Sequence, residues 1–248
     1  MNKNVLVTCG SLGNGAATAR LLASQGWRVC INFVSQVEAA QAVVDDISRA
    51  GGQALMVAAD VSQPDQVQRM FEFIDREMGV LHGLVNNAGV IAPMIRFEDM
   101  EPARWNRILG TNLLGTMMCA HAAVRRMSTR HGGAGGAIVN LSTALTRSGA
   151  PGMYVDYAAA KSAIETLTVG LAREVAGDGI RVNCVRPGLI DTEIHASGGD
   201  PGRAAKAKDF VPLKRAGLAT EVAQAIAWLL SEQASYTTGG FIDVSGGV

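Results

Sequence analysis

The residues best placed to do chemistry are Tyr157 and Lys161, in the run Tyr157-Ala158-Ala159-Ala160-Lys161. Side chains four apart share one face of a helix, so the phenol and the ammonium can point into one site. A free tyrosine titrates near ~10 and exchanges protons poorly at neutrality. A cation held beside it favours the phenolate and draws the pKa toward the working range, which makes the pair a candidate acid–base device. The small residues between them leave room for a cofactor or a partner helix. The histidines and cysteines show no metal-type spacing, so no metal site is expected.

A second group lies near the start, in Thr8-Cys9-Gly10-Ser11-Leu12-Gly13-Asn14-Gly15. It follows an apolar run and precedes a helical pattern beginning at about Gly15. A strand, a glycine-rich turn and a helix N-terminus together form a phosphate site, because the backbone can approach the anion and the first helical N–H groups point at it. The reading therefore places a dinucleotide pyrophosphate against Gly10, Ser11, Gly13, Asn14 and Gly15. The usual fingerprint adds an acid about 20 residues further on to hold the ribose 2′-hydroxyl. Here that place falls in Asn32-Phe33-Val34-Ser35, which has no carboxylate. An acid would repel a 2′-phosphate, so its absence favours NADP(H) over NAD(H). No arginine stands there either, which leaves Asn32, Ser35 and the backbone around Phe33 as donors.

These residues need a scaffold, and the rest of the chain supplies one. Short apolar runs at 5–8, 28–33, 54–58, 83–86, 137–142, 181–185 and 241–244 alternate with helical patterns at 15–25, 37–50, 64–78, 102–129, 155–176 and 220–231. Strands apolar on both faces and separated by helices predict a parallel sheet covered on each side. With right-handed crossovers this is an α/β, Rossmann-type, doubly wound seven-stranded sheet. No linker or internal repeat divides it, so residues 1–248 read as a single domain. A segment at 193–217, with the glycine cluster 197–202, reads as a substrate lid. The cluster 131–136 reads as a flexible reversal.

Composition excludes other classes. Twenty-two Lys+Arg balance 22 Asp+Glu, which argues against a nucleic-acid binder. Forty-eight per cent apolar residues with 18% charged ones can bury a large core, so the chain is not disordered. The 29 glycines in 248 residues exceed the roughly 7% of an average chain and must mark particular turns. Met1-Asn2-Lys3-Asn4 leads straight into a short apolar run, with no export or membrane signal, so a cytoplasmic setting is expected. In that setting Cys9, Cys30, Cys119 and Cys184 read as free thiols rather than as two disulfides.

The chain resembles the short-chain dehydrogenase/reductases, in the single-domain branch of about 250 residues. The resemblance spans almost the whole sequence and rests on several motifs in order. These are the glycine loop, Asp60-Val61, Asn86-Asn87-Ala88-Gly89, Asn112, Tyr157…Lys161, Pro187-Gly188…Thr192 and the closing Asp243-Val244-Ser245-Gly246-Gly247. It implies hydride transfer between nicotinamide and a carbonyl or secondary alcohol. Tyr157 would be the acid or base, and Lys161 would lower its pKa and hold the nicotinamide ribose. Asn112 would position a water linking Lys161 to solvent. Asp60 and Val61 would contact the adenine, and Asn87, Ala88 and Gly89 would line the cofactor. Pro187, Gly188, Ile190 and Thr192 would hold the nicotinamide.

The chain departs from the family pattern in three places. Cys9 replaces the usual first glycine of the loop. Leu12 stands where many NADP(H) members carry a basic residue. The serine expected about 13 residues before the tyrosine falls on Ala144. Aligning the fifth strand instead gives Thr143, whose hydroxyl can make the same hydrogen bond. Ser142, the alternative, would point to the other side of a regular strand.

The chain is also similar to 3-oxoacyl-carrier-protein reductases and sugar dehydrogenases, but the substrate itself is not legible. The family commonly forms homotetramers, and a homotetramer or homodimer is expected through the long helices near 102–129 and 155–176. The competing reading is a non-catalytic dinucleotide-binding sensor or scaffold, a class that usually loses the tyrosine or the lysine.

Overall fold

The β-branched and aliphatic runs of the chain form strands, buried on both faces at the centre of the sheet and partly exposed at its edges, as the computed structural model shows for residues 3–248. Met1 and Asn2, on which the export reading partly rests, lie outside the described residues. The strands are β1 (Asn4–Val7), β2 (Arg28–Phe33), β3 (Gln53–Ala58), β4 (Gly83–Asn86), β5 (Gly136–Leu141) and β6 (Ile180–Pro187). Two short strands, β7 (Ile190–Asp191) and β8 (Gly217–Leu218), pair with each other, and β9 (Phe241–Val244) closes the main sheet. The main sheet has seven parallel strands in the order β3-β2-β1-β4-β5-β6-β9. The expected α/β doubly wound sheet is therefore the observed one.

Alternation along each strand sorts the core into two layers. Val5, Val7, Val29 and Ile31 face α1 (Gly13–Ser24), α2 (Val37–Arg49) and α9 (Ala219–Leu230). Leu6, Cys30, Leu84 and Ile138 face α3 (Pro64–Glu77), α5 (Gly115–Met127) and α6 (Val155–Val175). The helix expected over 102–129 is divided. It comprises α4 (Pro102–Leu109), a π turn (Gly110–Leu114) and α5. The segment 193–217 carries two short helices, α7 (Ile194–Ser197) and α8 (Ala207–Phe210).

The strand order reverses between β1 and β4, which opens a crevice at their carboxyl ends, where ligands of such sheets bind. The cluster 131–136 lies before β5, at the opposite edge, and closes a tight reversal: a Cβ on Gly133 would lie 2.4 Å from the Arg126 carbonyl oxygen. All four cysteines are free thiols. No helix among the described residues is long and apolar enough to cross a membrane.

Candidate active site

The crevice is built first by hydrogen bonds between loop ends. Thr8, just past β1, is buried, and its hydroxyl accepts from the backbone N–H groups of Asn87 (3.0 Å) and Ala88 (2.9 Å). The Asn87 amide donates back to the carbonyls of Thr8 and Cys9, both at 3.0 Å. The glycine loop is thereby fixed to the exit of β4. Helix α1 then starts at Gly13 with no side-chain cap, so its first N–H groups remain for a ligand or solvent. A Cβ on Gly15 would lie 2.2 Å from the Cys9 carbonyl oxygen, so only glycine permits this turn. Asn14 Oδ1 is buried without a hydrogen-bond partner at the same place. An uncapped helix start and a glycine-only turn fit an anionic pyrophosphate.

Cys9 lies in the left-handed region, at φ 50°, where the family pattern has glycine. Its N–H donates to Asn32 Oδ1 (3.2 Å), and Gly10 N–H donates to the Asn32 carbonyl (2.8 Å). This corrects the expected role of Asn32. The residue is buried and its amide donates to the Ala59 carbonyl at 2.8 Å, so it braces the loop instead of facing a phosphate. Phe33 is likewise turned into the core, with its side chain only 5% exposed. Ser35 is exposed beyond them and remains free to face a ligand.

The other expected cofactor residues line the same edge. Asp60 Oδ1 accepts from Ser62 N–H (2.9 Å) and its hydroxyl (2.8 Å), while Val61 is buried and fills the space that Gly115 leaves. Gly188 N–H donates to the Val244 carbonyl (2.9 Å), fixing the turn after Pro187. A Cβ on Gly13 would lie 3.2 Å from Thr192 Cγ2, so the segment after β6 lies against the glycine loop. The Ile190 side chain packs into the core under α9, which leaves only its backbone for a ligand. His195 Nε2 is bonded to the Ile190 carbonyl at 2.6 Å.

The residues expected to exchange protons come together at the end of β5 and the start of α6. Tyr157 and Lys161 lie one helical turn apart. Lys161 Nζ donates to the Leu141 carbonyl (2.9 Å) and stands 5.8 Å from the centre of the Tyr157 ring. The Thr143 hydroxyl faces the Tyr157 phenol closely enough to act on its pKa, and it accepts from Leu145 N–H (3.3 Å). Ser142 turns the other way, donating to the Glu165 carboxylate (2.7 Å) and the Lys161 carbonyl (3.2 Å). The sequence leads one to expect a phenol pKa drawn down by the lysine. Instead burial pushes Tyr157 up to about 12, opposed by the Thr143 hydroxyl. Burial also pushes Lys161 down to about 8.

Asn112 lies at the centre of the π turn. Its amide donates to the carbonyls of Ile108 and Val90, both at 2.9 Å, and its oxygen accepts from Val90 N–H at 3.2 Å. A Cβ on Gly89 would meet Asn112 Oδ1 at 3.0 Å and Lys161 Nζ at 3.4 Å, so glycine there keeps the lysine and the asparagine close.

Sequence reading missed two supports. Glu165 accepts from Ser142, from Thr146 (2.8 Å) and from Arg186 (2.8 and 2.6 Å), clamping the strand end on both sides of Thr143. Asp156, next to Tyr157, is buried and paired with Arg104 of α4 through contacts of 2.7 and 3.1 Å. Its partner lies 52 residues away, so no local pattern reveals it.

The family model described as enoyl-(acyl carrier protein) reductase matches residues 10–248. A short-chain type dehydrogenase/reductase from Mycobacterium marinum superposes with a TM-score of 0.91 at 34% identity, covering 99% of this chain and 94% of that one. The chain belongs to the short-chain dehydrogenase/reductase family. This dehydrogenase/reductase is also 54% identical over 242 residues to the uncharacterized oxidoreductase YgfF of Escherichia coli (strain K12), covering 98% of each chain. A blue fluorescent protein from a metagenomic library, solved in complex with NADPH, superposes with a TM-score of 0.89 at 31% identity, covering 99% of this chain and 97% of that one. The protein is thus an oxidoreductase of the NAD(P)-binding, short-chain type, with the Rossmann-like fold expected from its alternating pattern.

Proposed function

We propose that this enzyme reduces a carbonyl to a secondary alcohol, with NADP(H) as the preferred cofactor and Tyr157 as the proton donor. The observation that carries this reading is the Thr143 hydroxyl facing the Tyr157 phenol, with the Lys161 ammonium 5.8 Å from the centre of the Tyr157 ring. Burial keeps the phenol protonated at neutral pH, which is the state a donor needs. The glycine loop and the start of α1 would hold the pyrophosphate, and Lys161, Gly89 and the 187–192 segment would flank the nicotinamide end. Bound there, the dinucleotide supplies or accepts the hydride.

In this mechanism Thr143 and Tyr157 hold the substrate oxygen between their hydroxyls. As negative charge develops on that oxygen, Tyr157 gives up its proton and Thr143 keeps its hydrogen bond. Lys161 stabilises the phenolate that remains. Asn112 holds the backbone at Val90 and, through it, the wall beside Lys161; a water between Asn112 and Lys161 would return the proton. Glu165 acts through Ser142 and Thr146 by positioning Thr143.

Support for NADP(H) comes from the lack of a carboxylate at the end of β2, from exposed Ser35, and from the NADPH complex of a structural relative. The test is oxidation of NADPH and NADH against a panel of ketones, 3-oxoacyl thioesters and sugars. Tyr157→Phe should lower kcat by about 10²–10⁴, and Thr143→Ala should lower it well beyond Ser142→Ala. Near-wild-type turnover by Tyr157→Phe sinks the assignment. Cofactor binding without turnover anywhere on the panel would point to a sensor instead.

A further inference from the structure

The segment between α7 and α8 holds a cation that forms no ion pair among the described residues. Arg203, between α7 and α8, sits with its guanidinium 5.9 Å from the centre of the Tyr154 ring. Its N–H groups reach only the thioether sulfurs of Met94 (3.6 Å) and Met153 (3.9 Å), which are weak acceptors. The neighbouring charges are spent on each other. Lys206 pairs with Asp200 at 2.9 Å, Arg104 with Asp156 at 2.7 Å and Arg96 with Glu98. Arg203 enters no ion pair among the described residues.

The position of this cation relative to the reacting residues is defined by packing. Tyr154 and Met153, the two residues beneath the guanidinium, belong to one apolar cluster with Tyr157, Ile91 and Ile194. The Tyr154 hydroxyl donates to the Gly198 carbonyl (3.3 Å), which ties the start of the lid to that wall. A substrate whose carbonyl lies at Tyr157 would have this apolar wall beside it, with Arg203 over the Tyr154 face of that wall. A guanidinium presents paired N–H donors whose spacing matches the oxygens of a carboxylate or phosphate. A cation lying on an aromatic face and thioethers, half out of water, gains more from an anion than a fully solvated one.

We infer that Arg203 is the receptor for an anionic group on the substrate, separated from the reacting carbonyl by a short apolar spacer. The substrate class is thus an oxo acid, or an oxo phosphate of similar length, instead of a neutral ketone or sugar. The inference rests on the carbonyl-reductase reading of the same site. It adds a specificity-determining residue on the lid.

The experiment compares matched substrates: 5-oxohexanoate against its methyl ester, and 4-oxopentyl phosphate against 5-hydroxypentan-2-one. For the wild type, kcat/KM for the anion should exceed that for the neutral partner by about 10–100-fold, the range of one charge-assisted contact. In Arg203→Met, which keeps the side chain's length and apolar stem, that ratio should fall toward one, and Arg203→Lys should restore part of it. The arm with the larger ratio identifies carboxylate or phosphate. A wild-type ratio near one, or an unchanged ratio in Arg203→Met, overturns the inference.

A second measurement separates this result from the fate of the redox reading. Calorimetry of hexanoate against hexanamide, on protein saturated with NADP, should show hexanoate binding that weakens about tenfold or more in Arg203→Met. Arg203-dependent hexanoate binding with no turnover of any carbonyl would remove the reductase reading and keep the receptor. Turnover without charge preference, and hexanoate binding indifferent to Arg203, would remove the receptor and keep the reductase.

Discussion

Lys161 is buried and Tyr157 partly buried beside it, and desolvation favours the neutral form of each. For the phenol that means an upward shift from 10.0 to about 12, and for the ammonium a downward shift from 10.5 to about 8. The signs have opposite consequences for stability. Lys161 contributes stability that is present above its unfolded value of 10.5 and lost as pH falls through about 8. Tyr157 contributes stability present below 10.0 and lost as pH rises through about 12. In the proposed mechanism the lysine sets the limit, because its charge would stabilise the phenolate left after proton transfer. The kcat/KM of carbonyl reduction should therefore be level below about 8 and fall as Lys161 loses its proton above it. A stopped-flow profile with saturating cofactor tests this, and a level response up to pH ~10 would exclude the lysine's role. The choice between Thr143 and Ser142 belongs to this scale too. Alternation along β5 sends neighbouring hydroxyls to opposite sides, which is why the sequence alone favours Thr143.

At the scale of elements, Asp156 and Arg104 do the joining that local sequence cannot show. Their buried pair ties the start of α6 to α4, and Arg104 Nη1 also donates to the Pro93 carbonyl (2.6 Å) on the loop after β4. Asp156→Ala leaves the guanidinium, whose side chain is only 13% exposed, without its partner. Such a change costs about 3 kcal/mol or more, and thermal unfolding should drop by roughly 6–12 °C. A double-mutant cycle with Arg104→Met checks the assignment: the double variant should lose clearly less than the sum of the single ones. Additive losses would mean that the pair does not couple the two helices. The same contrast explains what the sequence shows and hides. Strands and long helices are legible because their apolar periods are local, and the glycine loop because a turn and a helix start have local signatures. The burial of Asn32 and Phe33 depends on β3 and α2 packing around them, so residues that looked like ligands are braces. The π turn is hidden for a related reason, since Asn112 at its centre bonds to Val90, 22 residues away. Cys9 is half legible. A Cβ at that position predicts an altered turn, and the chain answers with a left-handed backbone instead of a different path.

At the scale of the whole molecule, two surfaces remain uncovered in the single chain. Leu114 and Met117, on the π turn and α5, are 52% and 43% exposed, and Leu109 of α4 is also bare. On α6, Ala159, Thr166 and Gly170 are exposed, and a Cβ on Gly170 would meet nothing within 4 Å. Large apolar residues on one helix beside small ones on the next suit close packing against a second copy, where small side chains let backbones approach. The outer edge of β9 forms the second surface, since that strand pairs with β6 on one side only. A formal net charge of zero adds no long-range repulsion between copies. Two independent surfaces of this kind generate a tetramer with closed symmetry, one interface forming dimers and the other joining them. Light scattering at micromolar concentration should therefore give four times the 25.9 kDa chain mass. Leu114→Asp with Met117→Asp places charge in the helical interface alone. The mass should then fall to that of a dimer held through β9, with far-ultraviolet dichroism unchanged. A wild-type monomer would show that neither surface is used, and a tetramer in the double variant would show that the helical face is not one of the two interfaces.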